Sequence, residues 1–168
     1  MEKADPPNFG DRLMDVPSEI PHVQQITLQS DLTCLACLQT WFEEFCDRHA
    51  ILVRWDDTQR YRFKLAMVEG FTNTVRHAHE HLPAETAIEA ELALEAAGDH
   101  CDLTFNLWDR GEPFDPTQLD EPEPGTLQLG GYGWFLLRRL CDRVTYSRCS
   151  DERNRLTVCS QVLTDAPR

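Results

Sequence analysis

The stretch from Leu65 to Ala78 constrains the fold more than any other, because it carries two rows of side chains at helical spacing. Glu69, Asn73 and His77 are four residues apart and form one row along the predicted helix. A carboxylate, a carboxamide and an imidazole on successive turns can hold a hydrated metal ion and a polar ligand, and they would also suit a solvated helix face. The other row predicts a face turned to a core; its members are Phe63, Met67, Phe71, Thr74 and Ala78.

Three glycines, Gly130, Gly131 and Gly133, stand before an apolar stretch that predicts a helix over residues 134–141. Free N–H groups and the helix dipole favour anions at a helix N-terminus, so the glycines indicate a phosphate site. A flexible helix entry without a ligand would carry the same residues. The preceding residues 115–129 are polar and proline-rich without apolar periodicity, and a loop of this kind is typical of disorder or of an active-site lid.

A third motif, Asp-Arg-Gly-Glu-Pro-Phe-Asp-Pro, runs from Asp109 to Pro116 directly after a predicted strand. Taken alone, Asp-Arg-Gly at the end of a strand is a common turn. In this order, the Glu-x-x-x-Asn-x-x-x-His-Ala helix, the Asp-x-Gly motif and the Gly-Gly-x-Gly loop resemble the nucleotide-binding motifs of the GHKL ATPases. That group includes gyrase-like, Hsp90-like, histidine-kinase-like and MutL-like proteins. The resemblance is closest to the anti-sigma-factor serine/threonine kinases and covers residues 25–163.

The resemblance implies ATP and Mg²⁺ as cofactors and gives each motif a role. Asn73 would hold Mg²⁺ through its carboxamide oxygen, a hard ligand suited to that ion. Glu69 would position or deprotonate the attacking hydroxyl group. Asp109 would accept a hydrogen bond from the adenine amino group, and Gly111 would let the base approach the backbone. Gly130, Gly131 and Gly133 would surround the phosphates. His77, Arg110 and Phe114 are secondary candidates for the same site. Arg138 and Arg139 would either direct their charge at phosphate or solvate their helix.

The resemblance further implies a protein kinase that phosphorylates a serine of a small anti-anti-sigma (STAS-like) partner and regulates transcription by partner switching. The resemblance also implies a sigma factor as a further partner and a homodimeric kinase. The alternative is a nucleotide-gated module that sequesters its partner without phosphotransfer. Both functions require ATP, so the motifs do not separate them. A detached histidine-kinase catalytic domain fits less well, because no pair of phosphoacceptor helices is visible upstream of residue 23.

The order of predicted elements indicates an α+β fold. Strand-like alternation appears first, then two helices, a hairpin, the loop, a further helix and a second hairpin. Hairpin strands with helices gathered on one face make a two-layer sandwich, with a mixed, mostly antiparallel sheet. The segment 86–95 alternates like a strand, although its alanines and glutamates would equally suit a helix. The other predicted strands are 23–29, 101–108, 143–150 and 156–163, and the first two helices are expected to be capped by Ser30 or Asp31 and by Asp56 or Asp57.

Composition and length predict the domain organisation and exclude several classes of protein. We expect one domain at 23–163, an extended or disordered lead-in at 1–22 that holds four prolines, and a tail at 164–168. The formal net charge of −13 argues against non-specific nucleic-acid binding, which needs clustered lysine and arginine. No apolar run approaches the length of a membrane span, and no apolar stretch follows the first lysine as in a signal peptide. These features predict a cytoplasmic protein that binds neither nucleic acid nor membrane.

Seven cysteines are irregularly spaced, and the odd number argues against a disulfide framework. Cys34 and Cys37 have the spacing of half a zinc or redox site, but no second pair follows at zinc-finger spacing. Core packing or partial exposure is the alternative explanation for these cysteines.

Overall fold

A six-stranded antiparallel sheet forms one layer of the protein. The computed structural model describes residues 22–50, 52–97, 100–116 and 132–164. The strands are β1 (His22–Gln29), β2 (Val53–Arg54), β3 (Ala87–Ala97), β4 (His100–Asp109), β5 (Arg143–Arg148) and β6 (Asn154–Thr164). Their order is β1-β3-β4-β6-β2, and β5 pairs with β6 beside β2. Both β5 and β2 therefore lie along the same edge of β6, at its beginning and at its end.

The second layer is helical. It comprises a 3-10 turn (Leu32–Cys34), α1 (Leu35–Arg48), α2 (Asp57–Asn73), a π-helical segment (Thr74–Ala78) that continues α2, and α3 (Tyr132–Leu140). The carboxylate of Asp31 accepts from the Thr33 N–H at 2.8 Å, and that of Asp56 accepts from the Gln59 N–H at 2.9 Å. Each aspartate thus satisfies one of the N–H groups that a helix start leaves unpaired.

The core lies between the helices and one face of the sheet. Along β4 the odd-numbered residues are buried and the even-numbered residues are half-exposed. The buried face packs with apolar side chains of the three helices; the largest members of this core are Phe42, Phe45, Phe63, Phe71, Phe105, Met67 and Leu137. Burying side chains of this size contributes about 1.5–3 kcal/mol each. The opposite face is polar, with Arg153 lying over the Trp108 ring and paired with Glu89.

The structure confirms the predicted fold class, α+β with the helices on one face of the sheet. All pairings among the described strands are antiparallel. The ambiguous segment 86–95 belongs to strand β3, because it pairs with β1 on one side and with β4 on the other. The two-residue strand β2 and the π-helical segment had no recognisable signal in the sequence. Within the described residues, no helix is long and apolar enough to cross a membrane.

Helix α2 lies unusually close to the sheet at Gly70. A Cβ atom on Gly70 would lie 2.6 Å from Cδ2 of Leu156, which is buried in β6. Only a residue without a side chain allows this approach. The neighbouring turn of α2, which carries Glu69 and Asn73, is therefore held at a fixed height above the sheet.

The cap of α2 can be tested with two adjacent aspartates. Replacing Asp56 by alanine removes the bond to the Gln59 N–H and should lower the free energy of unfolding by about 1 kcal/mol. For a domain of this size that corresponds to a fall in Tm of about 2–4 °C. Urea unfolding followed by circular dichroism measures the change.

Asp57→Ala is the matched control, because Asp57 is equally exposed and acidic but is the first residue of the helix rather than its cap. It should cost less than half as much. Equal losses in the two variants would show that helix-dipole charge, not the cap bond, stabilises this end of α2.

Candidate functional site

Two polar side chains of α2 meet the first turn of α3. A Cβ atom on Gly133 would overlap Oε1 of Glu69 and would lie 2.7 Å from Nδ2 and 3.1 Å from Oδ1 of Asn73. The bare backbone of Gly133 therefore lies directly against both side chains, which are half-buried. The far end of α3 is also tied to α2, since Arg62 Nη2 donates to the Arg139 carbonyl at 2.5 Å.

This junction combines a positive helix end with oxygen ligands. The first N–H groups of α3 have no partner within the helix, and the helix dipole makes that end electropositive. Asn73 and Glu69 place a carboxamide and a carboxylate beside it. Phosphate oxygens suit the N–H groups, and a hard divalent cation suits the side-chain oxygens.

The donor set fits Mg²⁺ better than a metal that needs a complete protein cage. In the described parts of the chain, no group of three or more His, Cys, Asp or Glu side chains could hold a metal ion. Mg²⁺ usually takes only one or two ligands from the protein and the rest from phosphate and water. The carboxamide oxygen of Asn73, with Glu69 beside it, matches that requirement.

A second polar centre lies where β4 ends. Asp109 is only 1% exposed, and its carboxylate is held on both oxygens. Oδ1 accepts from the Gly111 N–H at 2.9 Å and from Asn154 Nδ2 at 2.8 Å, and Oδ2 accepts from the Tyr146 hydroxyl at 2.9 Å. A carboxylate offers about four lone-pair positions. The described bonds use three of them, so one acceptor position of Oδ2 is left for an N–H group.

The partners of Asp109 are themselves fixed. Asn154 is buried and also donates to the Gly111 carbonyl at 3.0 Å. Arg148 Nη1 donates to the same carbonyl at 3.1 Å and to Asn154 Oδ1 at 3.0 Å. Burial, together with the negative charge of Asp109, raises the pKa of Tyr146, so its hydroxyl remains a donor. The carboxylate thus has a single rigid orientation.

Gly111 is needed for a reason that the sequence did not indicate. A Cβ atom at this position would lie 2.5 Å from the carbonyl oxygen and 2.8 Å from the Cβ of Ala78. The loop after β4 therefore passes directly over the end of the π-helical segment. This contact brings the Asp109 centre and the helix that carries Asn73 into one structure.

The structure separates His77 from the other members of its predicted row. The π-helical segment begins directly after Asn73 and adds a residue to the turn, so the four-residue spacing no longer keeps side chains on one line. His77 is exposed. The buried histidine of this region is His79, whose ring joins the segment to the loop after β4.

The remaining predicted site residues are placed as follows. Phe114 is 49% exposed and lies edge-on to the Tyr146 ring, with 5.9 Å between the ring centroids. Arg138 and Arg139 are exposed on α3. Gly130 and Gly131, and most of the loop predicted at 115–129, lie outside the described residues. Asn154, Tyr146, Arg148 and His79 were missed, because only the pairing of the strands and the packing of the loops bring them to the site.

All seven cysteines are free thiols. Cys34 is half-buried and Cys37 is exposed. Cys34 packs against the apolar core.

Comparisons with known proteins identify a family and a similar fold. A sequence model described as a histidine kinase-like ATPase domain matches residues 28–160. The crystal structure of the RsbU and RsbW domains of Rv1364c from Mycobacterium tuberculosis is similar in fold, with a TM-score of 0.59 and 14% sequence identity over 87% of this chain. The match spans 34% of that longer chain. A comparison with curated proteins found no match.

The contact at Gly133 makes a prediction about stability. Alanine normally stabilises a helix relative to glycine by up to about 1 kcal/mol. At this position the new Cβ would overlap the terminal atoms of the Glu69 and Asn73 side chains, which must turn aside, and we expect Gly133→Ala to lose most of that gain and leave the free energy of unfolding within about 0.5 kcal/mol of its original value. Urea unfolding of the two proteins measures the difference.

The control repeats the substitution after the two opposing side chains have been shortened. In a Glu69→Ala, Asn73→Ala background, Gly133→Ala should stabilise the protein by up to about 1 kcal/mol, because the atoms that it would overlap are gone. An equally large stabilisation in the otherwise unchanged protein would mean that α3 does not lie against α2 as described.

Proposed function

Because the chain belongs to the histidine kinase-like ATPase family, we propose that it is an ATP-dependent protein serine/threonine kinase of the anti-sigma type. Its acceptor is a serine of a small anti-anti-sigma (STAS-like) protein, and its biological role is the control of transcription by partner switching. One observation carries the nucleotide site. Glu69 and Asn73 of α2 meet the start of α3 at Gly133, and the π-helical segment that continues α2 ends against the loop that follows Asp109.

Asp109 supports adenine as the base. The acceptor position left on Oδ2 suits the exocyclic amino group of adenine, which is a donor. A guanine in the same orientation would present a carbonyl oxygen to a buried negative charge. Because Tyr146, Asn154 and the Gly111 N–H already fix the carboxylate, it does not need to reorganise when a base binds.

The junction of α2 and α3 supports a triphosphate. The N–H groups at the start of α3 would receive phosphate oxygens, and the absence of a side chain on Gly133 lets that backbone come close. Asn73 would hold Mg²⁺ through its carboxamide oxygen. When bound, the ion offsets the negative charge of the phosphates.

Glu69 is the proposed catalytic base. Its carboxylate lies one turn before Asn73 and against Gly133, at the helix end that we propose receives the phosphates. In that position it would orient the serine hydroxyl of the partner and accept its proton as the phosphate is transferred. The carboxylate is half-buried, which leaves it reachable from solvent for a partner's side chain.

Three observations support the anti-sigma type within the family. The motifs resemble those kinases more closely than other GHKL proteins. The Mycobacterium tuberculosis protein of similar fold contains a domain named RsbW. The net charge of −13 favours a partner with basic surface and disfavours nucleic acid. A sigma factor is the further partner that this role requires.

The proposed adenine-binding site is tested by removing the charge of Asp109. Asp109→Asn replaces an acceptor by an NH₂ group and loses a charge-assisted hydrogen bond of about 1.5–3 kcal/mol. We expect ATP and ADP to bind at least about tenfold more weakly, and equally so, because both share the base. Titration calorimetry with Mg²⁺ measures both affinities.

Tyr146→Phe is the matched control for Asp109. It removes one hydrogen bond to the same carboxylate but keeps the charge and the ring that contacts Phe114. Its effect on nucleotide affinity should be several-fold smaller than that of Asp109→Asn. Unchanged ATP affinity in Asp109→Asn would remove Asp109 from the site.

The proposed catalytic base is tested by Glu69→Gln, which keeps the size of the side chain and one oxygen but removes its basicity. Mg-ATP affinity should stay near that of the unchanged protein, while phosphotransfer should fall by about 10²–10⁴ in rate. Radiolabelled ATP and a STAS-like partner isolated by affinity capture provide the assay.

The outcomes distinguish two functions. A protein that binds ATP and the partner but labels nothing is a nucleotide-gated sequestering module, and the kinase proposal is then wrong. A Glu69→Gln variant that labels the partner at the normal rate is a kinase whose base lies elsewhere.

A further inference from the structure

His79 joins three segments of the chain at the edge of the proposed site. Its ring is 2% exposed and follows the π-helical segment directly. Nε2 accepts from the Arg110 N–H at 2.9 Å, and Nδ1 lies 3.0 Å from the hydroxyl of Ser30, which follows β1. An N–H group can only donate, so Nε2 is unprotonated and Nδ1 carries the hydrogen. The ring is therefore neutral in this arrangement.

The hydrogen bond to Arg110 holds the loop of the proposed adenine-binding site. Arg110 lies between Asp109 and Gly111, so its N–H belongs to the loop that the carboxylate of Asp109 also holds. Gly111 on the far side of that loop contacts Ala78. His79 and Ala78 thus hold successive residues of one loop against the end of the helix that carries Asn73.

We propose that His79 is a positioning residue that locks the base loop, residues 109–111, in its binding conformation when neutral and releases it when protonated. This inference rests on the proposed nucleotide site, because it assigns a regulation to that site. Protonation gives Nε2 a hydrogen that points at the Arg110 N–H, so the hydrogen bond is replaced by the contact of two donors.

The surrounding charges favour the neutral ring at ordinary pH. Burial lowers the pKa of His79 below its usual value of 6.5, and the positive charge of Arg110 acts in the same direction. The negative charge of Asp109 opposes both. On the β1 side, Asp31 is the adjacent charged residue, and its carboxylate is occupied by the Thr33 N–H. The flanking Glu80 is exposed, as is His77 two residues before the ring.

The sign of the pH effect follows from the lowered pKa. The unfolded chain, or a released loop, takes up a proton on His79 near pH 6.5, whereas the locked state takes it up only at lower pH. The lock is therefore fully favoured above pH 6.5 and is progressively weakened as the pH falls towards the pKa of the locked state.

The first test needs no nucleotide. In an NMR titration from about pH 8 to about pH 5, the Arg110 amide resonance should shift with the same midpoint as the His79 ring. Ring nitrogen shifts should show the Nδ1–H tautomer above pH 7. An Arg110 amide that does not follow the His79 titration overturns the proposal, whatever the protein binds.

The second test measures Mg-ADP affinity by calorimetry at about pH 7.5 and about pH 5.5. Glutamine at position 79 can place an acceptor oxygen near the position of Nε2 and does not titrate. We expect His79→Gln to bind as well as the unchanged protein at the higher pH and roughly fivefold more tightly than it at the lower pH. The ratio of the two proteins at each pH cancels the titration of the nucleotide phosphates.

His49 supplies the matched control. It is also buried, donates from Nδ1 to the Phe45 carbonyl at 2.8 Å, and has a pKa lowered by burial, but it follows α1, away from Asp109. His49→Gln should bind Mg-ADP as tightly as the unchanged protein does at both pH values. If His79→Gln does the same, the lock is absent. If the unchanged protein binds no Mg-ADP at either pH, the proposed function fails, and the NMR titration still decides the behaviour of His79.

Discussion

The pairing of β4 with β6 is the constraint on which the site depends. It sets Asp109 directly opposite Asn154, and the β5–β6 pairing sets Asn154 opposite Arg148. A shift of one residue in either register would turn these side chains to the other face of the sheet. The buried carboxylate would then lose its donors, and an unpaired buried charge costs several kcal/mol. The register therefore fixes the chemistry as well as the core.

Three glycines let other parts of the chain approach helix α2 closely. Gly70 sets the height of α2 above β6, Gly111 lets the loop after β4 cross the end of the same helix, and Gly133 lets α3 approach it from the other side. In each case a Cβ would occupy space that a neighbour already fills. One helix is thus approached closely at three places, and two of these contacts lie at opposite ends of the proposed nucleotide.

Much of this arrangement could be predicted from the sequence. The two rows on one helix, the cap residues and the alternating strands follow from local periodicity, and the motif resemblance indicated the family. The partners of Asp109 could not be predicted, because Tyr146 and Asn154 are 37 and 45 residues away in the chain and meet it only through strand pairing. His79 could not be found from the row of Glu69, Asn73 and His77, because the π-helical segment interrupts the helical spacing from which that row was predicted.

The position of β6 in the sheet has a consequence for the order of folding. This strand follows every other described strand in the chain, yet it pairs with β4, β5 and β2. Until it docks, β4 has an open edge and Asp109 lacks Asn154. Contacts between residues so far apart in sequence form slowly, because the intervening chain must first be ordered. An unpaired edge of a strand is open to edge-to-edge association, and the docking of β6 closes the edge of β4 and completes the site in the same step.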